Sequence, residues 1–318
     1  MSAATPTSTK RRGYRVEMSA ERITKAVSLP VVDVSIERPG VYIVATPIGN
    51  LGDLSARAAA TLAAVDVILC EDTRHSRRLL DHFGINTPLT ALHDHNETQM
   101  SEQLLTRLAA TSQACALISD AGTPLISDPG YAFVRAAVAA GLAVHSVPGP
   151  CAVTAALSIA GLSTARFSFE GFLPAQAGAR EARLVELVDD VRTLVFYEAP
   201  HRIHASLVAM QAAFGATREA VVARELTKRF ETIYRGTLAE LCARVAADAD
   251  ASRGEFVVLV AGNVAEQGAD DVELDRLLRI ALAETDRRAA VRIVTALSGR
   301  SRNQVYQASL RISAADEA

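Results

Sequence analysis

Short apolar runs alternate along the chain with longer Ala- and Leu-rich stretches of helical periodicity, and this alternation begins at Gly40. The runs that predict strands in the first half are Val41–Ala45, Val67–Cys70, Ala114–Ile118 and Leu142–Val147. Between them, Ser55 precedes a helical stretch that ends at Ala64, and Gly141 closes a second one that begins at Tyr131. A cluster of polar, Gly or Pro residues follows each strand. This order is typical of a parallel sheet whose ligand-binding loops lie at the carboxyl ends of its strands.

The second half repeats the alternation less regularly. Its predicted elements are strands at Thr193–Tyr197, Ala220–Ala223, Thr232–Arg235 and Glu255–Val260, and helices at His204–Phe214 and Leu238–Ala247. The charged, Ala-rich segment from Gly161 to Arg183 is interpreted as an interdomain connection or a mobile loop. After a break at Val264–Asp270, two helices are predicted, at Val272–Leu297 with an interruption near Glu284 and at Asn303–Leu310.

These patterns divide the chain into four segments. Two α/β domains are predicted at residues 39–150 and 151–264, and a small helical segment follows at 270–318. Residues 1–38 carry seven Lys and Arg against four Asp and Glu and lack the apolar core of a signal peptide. They are predicted to form a disordered extension.

Composition narrows the class of protein. Hydrophobic residues make up 49% and aromatic residues only 5%, which favours α/β layers of small side chains over an aromatic-rich β-sandwich. The formal net charge of -3 is unlike that of a generic nucleic-acid-binding protein, so any such contact would rest on local basic patches. The four cysteines form no CxxC pair and are read as reduced thiols of a cytosolic protein. No apolar run is long enough to span a membrane.

The most informative loop runs from Ser119 to Gly130 and follows an apolar strand. Its twelve residues hold two Gly, two Pro and two Asp, and such a rigid loop can present backbone amides and carbonyls to a polar cofactor. Asp120 and Asp128 could bind ribose hydroxyls or an ammonium group, although two consecutive turns capped by Asp would also explain them. The loop Thr46–Asp53 opens a helix in the same way but matches neither a P-loop nor GxGxxG.

Charged residues follow three other predicted strands. Arg74, Arg77 and Arg78 have helical spacing that would put them on one face able to grip phosphates, or on a solvated helix surface. The segments Phe196–Arg202 and Arg224–Lys228 would lie at the mouth of the second sheet, where Lys228 could act as a general base if its pKa were lowered.

Two pairs of closely spaced histidines raise the question of a metal-binding site. His93 and His95 flank Asp94, and His201 precedes His204 by three residues. Neither pair has nearby cysteines or a third ligand at a recognised spacing, so no metal is predicted.

Taken in order, eight stretches of the chain resemble the ribosomal RNA small subunit methyltransferase I family, a branch of the tetrapyrrole methylases. They are VATPIGNLGDLS, CEDTRHSRRLLDHFGI, SDAGTPLISDPG, VPGPCA, GFLP, FYEAPHR, RELTKRFE and RGEFVVLVAG. They cover about Gly40 to Asn263, and Asn303–Leu310 is similar to the closing helix of the family. The extension before Gly40 has no counterpart in the family, and Arg183 lies in a loop less basic than the family norm.

The resemblance implies two α/β domains of the tetrapyrrole methylase fold, the class III fold of S-adenosylmethionine methyltransferases. It also implies a cytoplasmic homodimer that acts on the small ribosomal subunit and methylates the 2′-oxygen of a cytidine ribose in the decoding region of 16S ribosomal RNA. The implied S-adenosylmethionine-binding residues are Thr46, Pro47, Gly49, Asp120, Ala121, Gly122, Thr123, Pro124, Leu125, Pro148, Gly149 and Cys151. The implied RNA contacts are Arg74, His75, Arg77, Arg78 and Arg202.

A ribose hydroxyl is a poor nucleophile until it gives up its proton, so a base or a strong hydrogen-bond acceptor is expected. Lys228, Glu225 and Asp72 are the candidates for this role.

Three other functions remain open at this stage. A tetrapyrrole small-molecule methyltransferase shares the fold, but the basic face on Arg74–Arg78 and the C-terminal arginines favour a polyanion. A non-catalytic ribosome-associated RNA-binding protein would not require the dense Asp120–Gly130 loop. A nicotinamide oxidoreductase would carry a glycine fingerprint that is missing here.

Overall fold

The computed structural model describes residues 32–93, 97–248, 250, 253–298, 300 and 302–316. Its strands are β1 (Gly40–Val44), β2 (Val67–Cys70), β3 (Leu89–Ala91), β4 (Ala114–Leu117), β5 (Ala143–Val147), β6 (Phe167–Phe172), β7 (Thr193–Glu198), β8 (Glu219–Arg224), β9 (Thr232–Thr237) and β10 (Phe256–Val260). Its helices are α1 (Ala56–Ala64), α2 (Thr73–His82), α3 (Glu97–Thr111), α4 (Tyr131–Ala139), α5 (Ala152–Ala160), α6 (Ala177–Glu186), α7 (Ile203–Phe214), α8 (Leu238–Ala247), α9 (Val264–Glu284), α10 (Arg287–Ser298) and α11 (Arg302–Asp316).

The first sheet is wholly parallel, with strand order β3-β2-β4-β1-β5. The central strand β1 is paired on both sides, with Gly40 opposite Ala114 and Ala143. The Ser55 hydroxyl caps α1 by accepting a hydrogen bond from the Ala58 N–H at 3.0 Å. The four strands predicted in this half are confirmed, and the short β3 and helix α3 are additional to the prediction.

The second sheet is mixed, with strand order β6-β7-β10-β8-β9. Only β6 and β7 are parallel, while β10 is antiparallel to both of its neighbours, β7 and β8. Phe256, at the start of β10, lies between Glu198 and Arg224, at the ends of β7 and β8. The segments that follow β7 and β8 therefore meet at one edge of the sheet, together with the residue that precedes β10.

The interpretation of Gly161–Arg183 as a connection or mobile loop is wrong, because the segment contains β6 and most of α6. Phe167 and Phe169 show the two-residue period of a strand, but a register shift between Phe169 and Gly171 breaks the pattern. As an edge strand, β6 also leaves Phe167 and Phe172 exposed, so no apolar run marks it.

The C-terminal segment contains three helices rather than two. The predicted break at Val264–Asp270 is wrong, since α9 begins at Val264. Helices α9 and α10 are separate because Thr285 has an extended backbone and the Asp286 carboxylate accepts a hydrogen bond from the Ala289 N–H at 2.9 Å. The three helices share a core of their own, formed by Leu274, Leu278, Val291, Val294, Val305, Ala308 and Ile312.

A separate apolar cluster joins the two α/β halves. Helix α5 packs on the second sheet against β8 and β10, and Ile48 and Ile126 of the first half belong to the same cluster. Residue 150 lies between β5, a strand of the first sheet, and α5, a helix that packs on the second sheet. Such a shared core fixes the position of one sheet against the other.

The described part of the N-terminal extension contacts the first half. Ile36 packs against the core of that half, and the Arg38 guanidinium lies 3.1 Å from the Asp66 carboxylate. Residues 1–31, which make up most of the predicted disordered extension, lie outside the described residues.

The four cysteines are free thiols, and all but Cys151 are buried. In the described part of the chain, no helix combines the length and the apolar character required to cross a bilayer.

Gly262, just after β10, allows a close approach of two backbone segments. A Cβ at this position would lie 2.1 Å from the Val191 carbonyl oxygen. We expect Gly262→Ala to lower the free energy of unfolding by about 1–3 kcal/mol, because backbone must move to make room. Gly178→Ala in α6 is the matched control: nothing lies within 4 Å of its added Cβ, so its stability should stay equal or rise by up to about 1 kcal/mol. Urea denaturation measures both, and equal stability of the two variants would contradict the expectation.

Candidate active site

The loops that follow β1, β4 and β5 are bonded to one another. Thr46 and Gly122 exchange two backbone hydrogen bonds, of 2.8 Å and 3.1 Å. The Thr123 hydroxyl donates a hydrogen bond of 2.9 Å to the Pro150 carbonyl oxygen. The three segments that the resemblance assigns to the cofactor therefore form one continuous surface at the carboxyl edge of the first sheet.

Glycine is required where these loops touch. Gly122 has a φ of +85°, and a Cβ there would lie 3.1 Å from the Ile48 side chain. At Gly149 a Cβ would lie 3.0 Å from the Ala45 side chain. Larger residues at either position would separate the loops.

A cleft of about 330 Å³ lies between this surface and the facing edge of the second sheet. The first half contributes Ile48, Ala121, Gly122, Thr123, Ile126, Ser127 and Asp128, and Cys151 and Ala152 line the cleft at the junction of the two halves. The second half contributes Phe172, Tyr197, Glu198, Ala199, Pro200, Leu226, Glu255, Phe256 and Val257. The lining is mainly apolar with a few acidic groups, as in sites that hold a small organic ligand.

The predicted cofactor residues fall into three groups by position. Those that line the cleft are Ala121, Gly122, Thr123 and Cys151. Those buried or half-buried beside the lining residues are Thr46, Pro47, Asp120, Pro124 and Leu125. Those exposed at the edges of their loops are Gly49, Pro148 and Gly149.

Fourteen of the eighteen lining residues were not assigned to the cofactor, and nine of these fourteen come from the second half. Phe172, Tyr197 and Leu226 belong to segments that the sequence placed at the mouth of the second sheet or in its connection, without a role in the cleft. The signal was the similarity of GFLP, FYEAPHR and RELTKRFE to the family. Nothing in their periodicity indicated that they face the first sheet.

Two cleft loops hold unusual backbone conformations. Among the described residues, five other than glycine have positive φ, and four of these are Leu125, Ser127, Glu225 and Thr227. Non-glycine residues persist in this region only where the surroundings determine the conformation, and they concentrate at functional sites. The loops on both sides of the cleft are therefore held in place by tertiary contacts.

Two carboxylates of the Ser119–Gly130 loop, Asp120 and Asp128, are half-buried, and neither forms an ion pair with another described residue. Asp120 Oδ1 is buried and has no hydrogen-bond partner in the structure. Burial, together with the nearby Glu71 and Asp120 carboxylates, raises the pKa of Asp128 to about 6, although a hydrogen bond with Ser119 acts in the opposite direction. This side of the cleft is suited to a cationic ligand.

Glu198 lies at the end of β7 and is fully bonded. Its side chain is 1% exposed, lies 2.7 Å from the Arg202 guanidinium, and accepts hydrogen bonds from the Ser206 hydroxyl and the Ala199 N–H. Arg202, predicted as an RNA contact, is thus already bound inside the protein, because a buried carboxylate requires a cation.

Lys228 joins the two halves at the mouth of the cleft. Its ammonium group lies 2.8 Å from the Glu225 carboxylate and 2.9 Å from the Glu255 carboxylate. Its stem crosses Gly49 so closely that a Cβ there would lie 2.3 Å from Lys228 Cγ. Burial alone would lower the pKa of Lys228, but the hydrogen bonds to Glu225 and Glu255 outweigh it and raise the pKa above its usual value. The lowered pKa that the base role requires is therefore not found, and Lys228 is a cation at neutral pH.

The other two candidate bases also have defined partners. Burial opposes ionisation of Glu225, yet the hydrogen bond from Lys228 keeps the pKa of its carboxyl below the usual range. Asp72 is the N-cap of α2 and accepts the Arg74 N–H at 2.7 Å, which lowers its pKa. Both are carboxylates at neutral pH.

Only part of the predicted basic face on α2 is exposed for binding phosphates. Arg74, His75 and Arg78 are exposed. Arg77 is half-buried and donates to the Thr87 carbonyl oxygen at 3.5 Å. Hence the shared face of three arginines that the spacing predicted is not fully available, because one guanidinium is turned to the protein.

Among the described residues, no group of three or more His, Cys, Asp or Glu side chains is arranged to hold a metal ion. Asp94 and His95 lie outside the described residues, and His201 and His204 are exposed.

Comparisons with known proteins agree with this architecture. Residues 40–242 match the family model "Tetrapyrrole (Corrin/Porphyrin) Methylases", and residues 268–313 match "RsmI C-terminal HTH domain". Among solved structures, the methyltransferase CobJ aligns with a TM-score of 0.54 and 20% identity over 70% of this chain and 94% of its own. Diphthine synthase aligns with a TM-score of 0.52 and 15% identity over 70% of this chain and 89% of its own. Because the sequence identities are this low, the similarity to these two structures shows a shared fold only.

Curated relatives are much more similar. A Xylella fastidiosa protein named ribosomal RNA small subunit methyltransferase I is 51% identical over 84% of this chain and 98% of its own length. The proteins of the same name from Pseudomonas aeruginosa and Escherichia coli O157:H7 are 51% and 47% identical, each over 85% of this chain and 96% and 94% of their own lengths. The chain belongs to the ribosomal RNA small subunit methyltransferase I family of tetrapyrrole methylases.

Proposed function

We propose that the protein transfers a methyl group from S-adenosylmethionine to the 2′-oxygen of a cytidine ribose in the decoding region of 16S ribosomal RNA. The observation that carries this proposal is the apolar cleft between the two sheets, with the Asp128 carboxylate in its lining and the unpartnered Asp120 Oδ1 beside it, in a chain 51% identical to a relative named for small-subunit ribosomal RNA methylation.

The residues of the cleft fit this methyl donor. Ile48, Ile126 and Val257 offer an apolar surface for an adenine ring, and the buried, unpaired Asp120 Oδ1 suits an ammonium group. The backbone of Ala121–Thr123 can bind polar atoms without a large side chain between. When bound, S-adenosylmethionine supplies a methyl group activated by a positively charged sulfur.

The protein's own contribution is position and the exclusion of water. Methyl transfer requires the ribose oxygen to approach the methyl carbon in line at roughly 3 Å, and a rigid site supplies much of the rate by holding that geometry. Glu225 and Glu255, both of the second half, fix the Lys228 side chain, whose stem packs on Gly49 of the first half. We assign Lys228 and Glu225 to this positioning role, and Asp72 to the cap of α2.

RNA binding is proposed for exposed arginines on two parts of the chain. Arg74 and Arg78 lie on α2 with His75 between them. On the C-terminal helices, Arg288, Arg292 and Arg302 line one groove. Such clusters suit a polyanion whose phosphates lie several ångströms apart. We do not include Arg77 and Arg202, whose guanidinium groups already bind protein groups.

The proposal includes a cytoplasmic homodimer that acts on the small ribosomal subunit, as the resemblance to the family implies. The tetrapyrrole substrate is the competing candidate, favoured by the description of the family that matches residues 40–242. A corrin-like substrate would not require the arginine-lined groove of the C-terminal helices, so the dependence of binding on salt separates the two.

Mapping of ribose methylation tests the proposed function directly. Cells that lack the gene should lose one 2′-O-methyl group in the decoding region of small-subunit ribosomal RNA. The purified protein with S-adenosylmethionine should restore that group on small subunits taken from those cells. An unchanged methylation map would overturn the proposed function.

The cofactor assignment predicts a large effect of Asp120→Asn. Loss of a charge-assisted hydrogen bond from a buried site costs about 1.5–3 kcal/mol, which corresponds to roughly 10- to 100-fold weaker binding of S-adenosylmethionine in calorimetry. Asp53→Asn, at an exposed position beside the same loop system, is the control and should bind normally. Wild-type affinity in Asp120→Asn would remove Asp120 from the site.

The arginine groove predicts a change in salt dependence. Replacing Arg288, Arg292 and Arg302 together by Ala should weaken binding to small subunits and reduce the slope of log K against log salt by up to about 2–3, since each phosphate contact contributes about 0.7–0.9. Arg276→Ala is the control, because that guanidinium is paired with Glu273 at 2.7 Å. An unchanged slope in the triple variant would exclude the groove as an RNA contact.

A further inference from the structure

Methyl transfer to a ribose hydroxyl releases one proton, which a group in the cleft must accept. This inference rests on the proposed function and concerns the identity of that group. A general base has to lie at the reacting oxygen, be ionised at the working pH, and bind a proton more strongly than an ordinary surface carboxylate. The carboxylates among the described residues that line the cleft are Asp128, Glu198 and Glu255.

Two of these three are neutralised by cations. Glu198 is bound to Arg202 at 2.7 Å and also accepts the Ser206 hydroxyl. Glu255 is bound to Lys228 at 2.9 Å and is 72% exposed. A carboxylate held by a cation is a weak proton acceptor, because protonation would leave the cation without its partner.

Asp128 differs from Glu198 and Glu255, because the groups around it are neutral or negatively charged. It lies at the end of the dense loop, next to Ser127, whose φ is 65°. The groups that face it are the Ser119 hydroxyl, the Glu71 and Asp120 carboxylates and the Tyr197 side chain from the second sheet. Among the described residues, none of the ion pairs involves Asp128. Burial and like charges both favour its protonated form.

We propose that Asp128 is the general base of the methyl transfer. As the ribose oxygen forms its bond to the methyl carbon, the O2′–H bond breaks and the proton passes to the Asp128 carboxylate. The electron pair of the S–CH3 bond leaves with the sulfur, which becomes a neutral thioether. Solvent then removes the proton from Asp128 and regenerates the base.

The pKa of Asp128 agrees with this geometry. At about 6 it leaves the group mostly ionised at neutral pH, yet it makes the carboxylate a stronger proton acceptor than an ordinary aspartate. Lys228, in contrast, is protonated under the same conditions and cannot accept a proton.

The test is single-turnover methylation of small subunits from cells that lack the gene, with S-adenosylmethionine saturating, between pH 5 and 9. The wild-type rate should rise tenfold per pH unit up to a midpoint near pH 6 and then remain constant. Asp128→Asn should lower the plateau by about 10²- to 10⁴-fold, while calorimetric affinity for S-adenosylmethionine stays within about threefold of wild type. Asp128→Glu should recover part of the rate.

Glu71→Gln is the matched control. Glu71 is exposed and raises the pKa of Asp128 through its charge, so its replacement should move the midpoint to lower pH and leave the plateau unchanged. No shift of the midpoint in Glu71→Gln would show that the titrating group is not Asp128.

Thermal unfolding gives a readout that does not depend on activity. Because the pKa of Asp128 is raised on folding, ionisation destabilises the folded state, and this penalty develops between about pH 4 and 6. Asp128→Asn removes the penalty, so its Tm should exceed that of wild type by an amount that grows over this interval and is constant above it. A Tm difference independent of pH would contradict the assignment.

The outcomes distinguish this inference from the proposed function. If the wild-type protein transfers no methyl group to the RNA, the proposed function fails. If it does and Asp128→Asn reaches the wild-type plateau, only the inference fails. A large loss of S-adenosylmethionine affinity with an unchanged plateau would make Asp128 a cofactor ligand and would also overturn it.

Discussion

The cleft depends on the pair of backbone hydrogen bonds between Thr46 and Gly122. These bonds join loops that are 76 residues apart in the chain, and they lie at the carboxyl edge of a parallel sheet where neither loop has a strand to continue it. Gly122 permits them because its positive φ turns the chain back towards Thr46. Asp120, Thr123 and the rest of the dense loop are positioned from this bridge. Without it, the apolar wall of the first half would have no fixed shape.

The two walls of the cleft differ in whether their carboxylates are paired with Arg or Lys side chains. On the second-half side, Glu198 and Glu255 each have a basic partner. On the first-half side, Asp120 and Asp128 have no basic partner within the described part of the chain, and the charges of Glu71 and Asp120 raise the pKa of Asp128. A positively charged ligand is therefore attracted to the wall of the first half, while the carboxylates of the other wall are balanced by cations of the same half. This difference in charge between the walls favours one orientation of a cationic ligand, with its positive group toward the first half.

Much of the first half could be predicted from the sequence, since its strands are short apolar runs and its helices have clear caps such as Ser55. The loops that carry Thr46, Gly122 and Thr123 were also identifiable, because Gly and Pro concentrate after buried strands. The wall that the second half contributes to the cleft could not be predicted. Whether Tyr197 and Leu226 face the first sheet depends on the antiparallel position of β10, which no local period reveals. The state of Lys228 depends on Glu255, a residue 27 positions away, so its pKa could not be read from spacing.

The crossing of the Lys228 stem over Gly49 has a consequence for how wide the cleft can be. At this point the Lys228 stem of the second half lies directly on the Gly49 backbone of the first half, and the ammonium group is bound by Glu225 of its own half. Because glycine has no side chain, position 49 lets the two walls come closer together than any other residue would allow. Any side chain at position 49 would clash with the Lys228 stem and with Thr227, so glycine at this one position sets how closely the two walls of the cleft approach each other at the rim.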